Sequence, residues 1–267
     1  MKAPHRLRIL LSNAFGLQSK LGELSKVAKT LSPDVVIITE TKFTADKVSQ
    51  AEGSLPGYCK PFRCDRTAHG GGVAIWVKSQ LAAVRLEKPA SGGHELVWIS
   101  VRTDDGDNVV IGAVYRSGSS SESDVSVIEH LDECLTSLNR SSCSVILAGD
   151  FNVHNQSWLG STKTTAAGER VEDLCNIHGL SQHVDLPTRG PNVLDLVMSD
   201  YAQATVKHHA PLGKSDHCVV TADFPSVRPL REATSSRTVW RYNQADWSRL
   251  VVVIFIYSGN PKQASAY

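Results

Sequence analysis

The stretch that most limits what this chain can become is Ser144 to Asn155, SVILAGDFNVHN. Four apolar residues, Val145 to Ala148, run into a glycine, and an acid and an amide follow at Asp150 and Asn152. A short apolar run closed by a turn signal predicts a buried strand. Residues two apart in an extended chain face the same way, so Asp150 and Asn152 should project together just past the end of a core strand. Reactive groups of α/β proteins often sit on such strand ends. An ordinary strand-to-turn junction uses the same residues, so the remaining segments decide between the two.

The pattern of an apolar run closed by polar residues recurs. Leu7 to Leu11 predicts a first strand, followed by Ser12-Asn13; Val35 to Ile38, β-branched throughout, predicts a second, covered on both faces, that delivers Thr39-Glu40-Thr41-Lys42. Leu96 to Val101 and Val109 to Tyr115 read as a hairpin across the acidic turn Asp104–Asn108 and end in Tyr115-Arg116. Asn192 to Met198 is an apolar strand with Asp195 inside it, and Ser215-Asp216-His217 opens a last strand, Cys218 to Phe224. Helical spacing covers Gln18–Leu31, Val125–Leu138 and Ala166–His178, the last closed by Gly179. Tyr58–Phe62 and Val73–Val77 suggest paired strands around Gly70-Gly71-Gly72, which fit a turn into a core strand or, alternatively, a phosphate cradle. Arg63, Arg66 and His69 form a small basic loop open to phosphate.

Each polar strand end has a structural and a chemical use. Asn13 can cap a turn or aim its amide into a site. Glu40 can be solvated, or it can serve as a hard oxygen ligand for Mg²⁺. Tyr115 can pack at a strand end or, with the Arg116 fork, hold a phosphate. A carboxylate inside an apolar strand needs a partner, and His217 is the partner available to Asp195; an aspartate behind a histidine fixes its tautomer and raises its basicity. His154 and Trp158 follow the GDFN strand and are structural or lie at the edge of the site.

Composition sets the outer bounds. The 267 residues are 41% apolar with a net charge of +1, enough for a sizeable core and with no global basic field. The six cysteines show no Cys-x-x-Cys pair and no zinc spacing with histidine, and they read as reduced thiols of an intracellular protein. The N-terminal apolar run is too short for a signal peptide and Leu250–Tyr257 too short for a membrane span, so no membrane association is expected. Residues 225 to 239, rich in Arg, Ser and Pro, read as a linker, and the remainder as an irregular tail.

Brought together, these groups suit metal-assisted attack on a phosphodiester. The segments SNAFGL (12–17), IITETKF (37–43), GGGVAIWV (70–77), AVYR (113–116), GDFN (149–152), NVLDLVMSD (192–200) and SDH (215–217), in this order, resemble the endonuclease/exonuclease/phosphatase superfamily. GDFNVHN, LPTRGPNVLDLV (186–197) and the trailing linker with ADW most resemble the endonuclease domain of non-LTR retrotransposon polyproteins, which is similar to apurinic endonucleases. The resemblance implies a four-layer α/β sandwich, two packed mixed β-sheets flanked by helices, over residues 1–225, with 226–267 a linker and a truncated or irregular tail. It implies a Mg²⁺-dependent endonuclease, with Mn²⁺ as a substitute, that nicks DNA and leaves a 3′-hydroxyl to prime reverse transcription. The alternatives are another phosphoesterase of the superfamily and a catalytically dead nucleic-acid-binding relic. Glu40 is then the main metal ligand, with Asn13 and Asp216 nearby. Asp150 activates or positions the water, Asn152 binds phosphate, Tyr115 stabilises the transition state and Asp195 pairs with His217. Arg116, His154 and Arg189 are candidate substrate contacts. The family's acid two residues after the first Asn is Phe15 here, and Thr39 stands where a glutamine often precedes the glutamate. DNA in the nucleus is the implied partner, with a reverse transcriptase in a longer parent chain.

Overall fold

In chain order the elements are β1 (Arg6–Asn13), a 3₁₀ turn (Gln18–Lys20), α1 (Leu21–Leu31), β2 (Val35–Thr39), β3 (Phe62–Cys64), β4 (Val73–Val77), β5 (Ala82–Arg85), β6 (Leu96–Arg102), β7 (Asn108–Tyr115), α2 (Ser123–Ser137), β8 (Ser144–Asp150), α3 (Gln156–Leu159), α4 (Ala166–His178), β9 (Ser181–Gln182), β10 (Asp195–Ser199), β11 (Thr205–His209) and β12 (Val219–Pro225). The computed structural model describes residues 6–225 apart from 45, 47, 50, 67–69, 88–91, 103–107 and 119–122. His69, the acidic hairpin turn, and the linker and tail beyond 225 lie outside the described residues.

The strands form two six-stranded sheets, ordered β11-β12-β1-β2-β4-β3 and β5-β6-β7-β8-β10-β9. Each has one parallel pair at its centre, β1 with β2 and β7 with β8, flanked by antiparallel neighbours. Parallel neighbours need a crossover, which α1 supplies in one sheet and α2 in the other. The same connectivity thus occurs twice.

Side-chain alternation makes the layers. Leu7, Ile9, Leu11, Val35 and Ile37 join the cluster of the second sheet, while Leu10, Val36 and Ile38 pack with Leu24 of α1. Both faces of β1 and β2 are therefore covered, as their unbroken apolar runs predict. On the far side, Ile128 and Leu131 of α2 and Val171 and Leu174 of α4 pack against the second sheet. The result is a four-layer α/β sandwich. Each fully buried Leu, Ile or Val contributes about 1.5–3 kcal/mol of apolar transfer. Arg8 fastens β1 to β12 through two bonds to Asp223, at 2.5 and 2.8 Å.

Some elements differ from the sequence expectation. The strand expected over Tyr58–Phe62 is β3, shifted to Phe62–Cys64, with Tyr58 making one isolated bridge to Lys78. The strand expected from Asn192 begins at Asp195, because the Thr188 hydroxyl accepts the Leu194 and Asp195 N–H groups and Arg189 turns back on Asn192. Edge strands β5 and β11 have exposed, mixed side chains and so lack the apolar pattern that marks the inner strands. Among the described residues, which include all six cysteines, there is no disulfide. No helix of the described residues is long and apolar enough to cross a membrane.

Candidate active site

Strand register lines up the second sheet's share of the site. Tyr115 pairs with Asp150, and Asp150 with Asp195, so three polar residues stand in one row across β7, β8 and β10. Gly149 makes this row possible: a Cβ there would lie 1.8 Å from the Val114 carbonyl oxygen, so only glycine lets β7 and β8 close up beside Asp150. The Tyr115 N–H donates to the Glu95 carbonyl at 3.0 Å, which puts Glu95 next in line at the start of β6.

The first sheet supplies the other half. Asn13 ends β1, and Glu40 follows β2 with a left-handed backbone, φ 48°. The Asn13 amide nitrogen donates to Glu40 Oε1 at 2.9 Å and to Asp150 Oδ2 at 2.8 Å, while its Oδ1 accepts the Phe15 N–H at 2.9 Å. One buried side chain therefore joins the acids of the two sheets. The Tyr115 hydroxyl bonds Glu40, and burial followed by the Glu40 charge raises its pKa strongly. Ser215 donates to the Asn13 carbonyl at 2.7 Å and accepts the His217 N–H at 3.3 Å, so the last strand is tied to the end of the first.

Asp195 and His217 form the expected buried pair. Asp195 Oδ2 lies 2.6 Å from His217 Nδ1, and both side chains are sealed from solvent. Burial alone would lower the imidazole pKa; the hydrogen bond and charge of Asp195 outweigh it, and the net shift is upward. Burial, then the Asp195 charge, pushes the Asp150 carboxyl up to about 8, against the pull of His217 and the Asn13 amide. Asp195 Oδ1 is buried without a hydrogen-bond partner. An orphaned buried carboxylate oxygen is costly unless something takes it up. Asp150, Asp195 and His217 offer ligand atoms that all lie within 4.8 Å of one another. Their carboxylate oxygens, beside Glu40, fit a divalent cation.

The other sequence candidates sit around this centre. Asp216 is more than half exposed and bonds Arg189 at 2.6 Å, with Oδ1 4.0 Å from His217 Nε2. Arg189 also pairs with His217 through an isolated β-bridge. Asn152 has φ 48°; its N–H donates to Asp150 Oδ1 at 3.1 Å and its amide to the Arg116 carbonyl at 2.8 Å. Arg116 is buried, and its guanidinium donates to the carbonyls of Phe151 and Asn152, both at 3.1 Å, which fastens the loop after β8. His154 lies on that loop, half-buried and bonded to Asn192.

Sequence reasoning missed Glu95. Its carboxylate accepts the Gly72 N–H and pairs with Arg66 at 2.9 Å, and burial, the largest influence, raises its pKa. A Cβ at Gly71, φ 74°, would lie 2.1 Å from Glu95 Oε2. The glycine run therefore wraps a carboxylate of this chain. Gly71 and Gly72 in turn accept the N–H groups of Lys42 and Thr41, at 2.9 and 3.2 Å, so Glu95 braces the loop that carries Glu40. Its sequence signal was the one used for Asp195, an acid beside an apolar strand.

Comparison with known proteins agrees with this fold. The family model described as endonuclease-reverse transcriptase matches residues 109–221. No curated protein matches the chain by sequence. The endonuclease domain of TRAS1, a telomere-specific non-LTR retrotransposon, is similar in structure, with TM-score 0.66 and 18% identity over 83% of this chain and 99% of that one. An AP endonuclease from Archaeoglobus fulgidus gives TM-score 0.62 and 17% identity over 82% and 99%. The 3′ phosphatase NExo from Neisseria, bound to product DNA hairpin, gives TM-score 0.63 and 17% identity over 82% and 99%. The fold is shared with these nucleases and this phosphatase, and the family match lies within residues 109–221.

Proposed function

We propose that the protein is a Mg²⁺-dependent DNA endonuclease, with Mn²⁺ able to substitute, that nicks one strand at a nuclear target and leaves a 3′-hydroxyl for target-primed reverse transcription. The observation that carries the reading is the Asn13 amide, which holds Glu40 of one sheet and Asp150 of the other beside the Asp195–His217 pair. The TRAS1 domain and the AP endonuclease support DNA as substrate.

Glu40 and the unpartnered Oδ1 of Asp195 are the oxygens that would hold the cation. When bound, it neutralises charge that develops on the phosphoryl oxygens. Asp150, its pKa lifted toward neutrality, accepts the proton of the attacking water. The water oxygen forms the new bond to phosphorus as the P–O3′ bond breaks; the leaving oxygen takes a proton from solvent, giving a 3′-hydroxyl and a 5′-phosphate. His217, whose charged form Asp195 favours, presents Nε2–H to a phosphoryl oxygen. Tyr115 and the second N–H of the Asn152 amide add donors to the same oxygens. Asp216 and Arg189 occupy each other at the rim, and Asp216 would be a further oxygen near the cation.

Nicking of supercoiled plasmid, with and without chelator, tests the reading. Wild type nicks with Mg²⁺, and Glu40→Ala, Asp150→Ala and His217→Ala each abolish it. Equal nicking by wild type and variants would mean the site is misassigned. The NExo structure makes a second substrate worth assaying: release of phosphate from a 3′-phosphorylated end without plasmid nicking would replace the endonuclease reading with a phosphatase.

A further inference from the structure

Phe15 is the most exposed large apolar side chain of the described residues, at 60%. It lies two residues beyond Asn13, at the mouth of the site. Its backbone is left-handed, φ 45°, a region that bulky side chains avoid. The conformation is imposed by neighbours: the Phe15 N–H bonds Asn13 Oδ1, the Gly16 N–H bonds the Glu40 carbonyl at 2.8 Å and the Leu17 N–H bonds the Thr41 carbonyl at 2.9 Å. Strain of this kind persists where the surroundings over-determine it, and it gathers at ligand clamps.

Lys42 stands opposite, also left-handed with φ 53°, its N–H held by Gly71. Its ammonium lies 3.6 Å above the Phe15 ring. Lys20 is close enough for the Lys42 charge to act on it, and its own ammonium bonds the Ala14 carbonyl. The chain thus fixes a cation over one face of an exposed aromatic ring, on the two loops that carry Asn13 and Glu40, and leaves the other face to take a base. Stacking aromatics beside a positive track are how proteins hold nucleotides without reading their sequence.

We propose that Phe15 and Lys42 form a nucleotide grip: the ring stacks on a nucleobase next to the scissile phosphodiester, and the ammonium pairs with that nucleotide's phosphate. The proposal rests on the nuclease reading for its substrate class. Stacking carries no ionic term, whereas a lysine–phosphate contact does. The two residues therefore leave different signatures in DNA binding.

The test is fluorescence anisotropy of a labelled short DNA duplex, in EDTA, over a series of salt concentrations. Phe15→Ala is expected to weaken binding about 10- to 100-fold with the salt slope unchanged. Lys42→Ala is expected to reduce the slope by about one. Phe15→Trp retains wild-type affinity. Phe15→Asn, suited to the left-handed backbone, unfolds at a higher temperature yet shows the loss of affinity seen with Ala. Wild-type affinity in Phe15→Ala or Phe15→Asn, or an unaltered slope in Lys42→Ala, overturns the grip. Wild type that binds with these signatures but nicks nothing overturns the endonuclease reading and leaves the grip standing. Nicking that Phe15→Ala does not affect, with binding also intact, overturns the grip alone.

Discussion

Asp195→Asn keeps the shape of the buried pair and removes its charge. The native contact is 2.6 Å between two side chains that water does not reach. A hydrogen bond to a charged partner contributes about 1.5–3 kcal/mol net. At about 1.4 kcal/mol per decade, its loss from the step that needs a charged His217 slows single-turnover nicking about 10- to 150-fold. The amide fills the same volume, so thermal unfolding near neutral pH moves little. Two titrations move, both downward: His217 loses the carboxylate that raises it, and Asp150 loses a like charge beside it. The sign for stability follows. A histidine whose folded pKa is raised stabilises the fold at acid pH, and that contribution is lost as pH rises through the folded value. Wild type should therefore lose stability from this group above the usual 6.5, and the variant should not. The assays are single-turnover nicking at saturating Mg²⁺ and NMR titration of His217. The double variant Asp195→Asn/His217→Gln should be no slower than His217→Gln alone. A nicking rate indistinguishable from wild type, with the His217 titration unmoved, would refute the coupling.

Gly149→Ala places a methyl 1.8 Å from the Val114 carbonyl, parts β7 from β8 and costs about 3 kcal/mol in urea unfolding; an unchanged midpoint contradicts the close-approach argument. Glu95→Gln removes the charge that Arg66 and Gly72 hold, loosens the Thr41–Lys42 loop and raises the Mg²⁺ concentration needed for half-maximal nicking about tenfold; an unshifted metal titration rules the brace out. Hydrogen bonding to Arg8 holds Asp223 below the usual carboxylate range, so its stabilising contribution is present above 3.8 and lost as pH falls through the folded value. Asp223→Asn should accordingly flatten the acid limb of a plot of unfolding temperature against pH, and coincident limbs for the two proteins would show that the pair contributes nothing.

The inner strands were legible because each is a short apolar run, and β1, β2, β7, β8 and β12 lie within a residue or two of where that pattern puts them. Asp195 was legible as an acid that burial forces to find a partner. Register was not legible: nothing local says that Tyr115, Asp150 and Asp195 share a row, since pairing depends on strands distant in sequence. Glu95 stayed hidden for the same reason, its function arising from a loop more than twenty residues away. The bridging part played by Asn13 could not be read either, because a lone amide after a strand is equally a cap.

The repeated strand–helix–strand connectivity has a consequence for how the molecule responds to what it binds. Each repeat holds only half of the site, and above their shared apolar layer the Asn13 amide, the Tyr115 hydroxyl and the Glu95 carboxylate link the two halves. A nucleic acid lying across the gap fastens one repeat to the other like a bolt through two plates, so it resists their separation far more than a ligand seated on either plate alone. Heat should consequently unfold the loaded molecule later than the empty one.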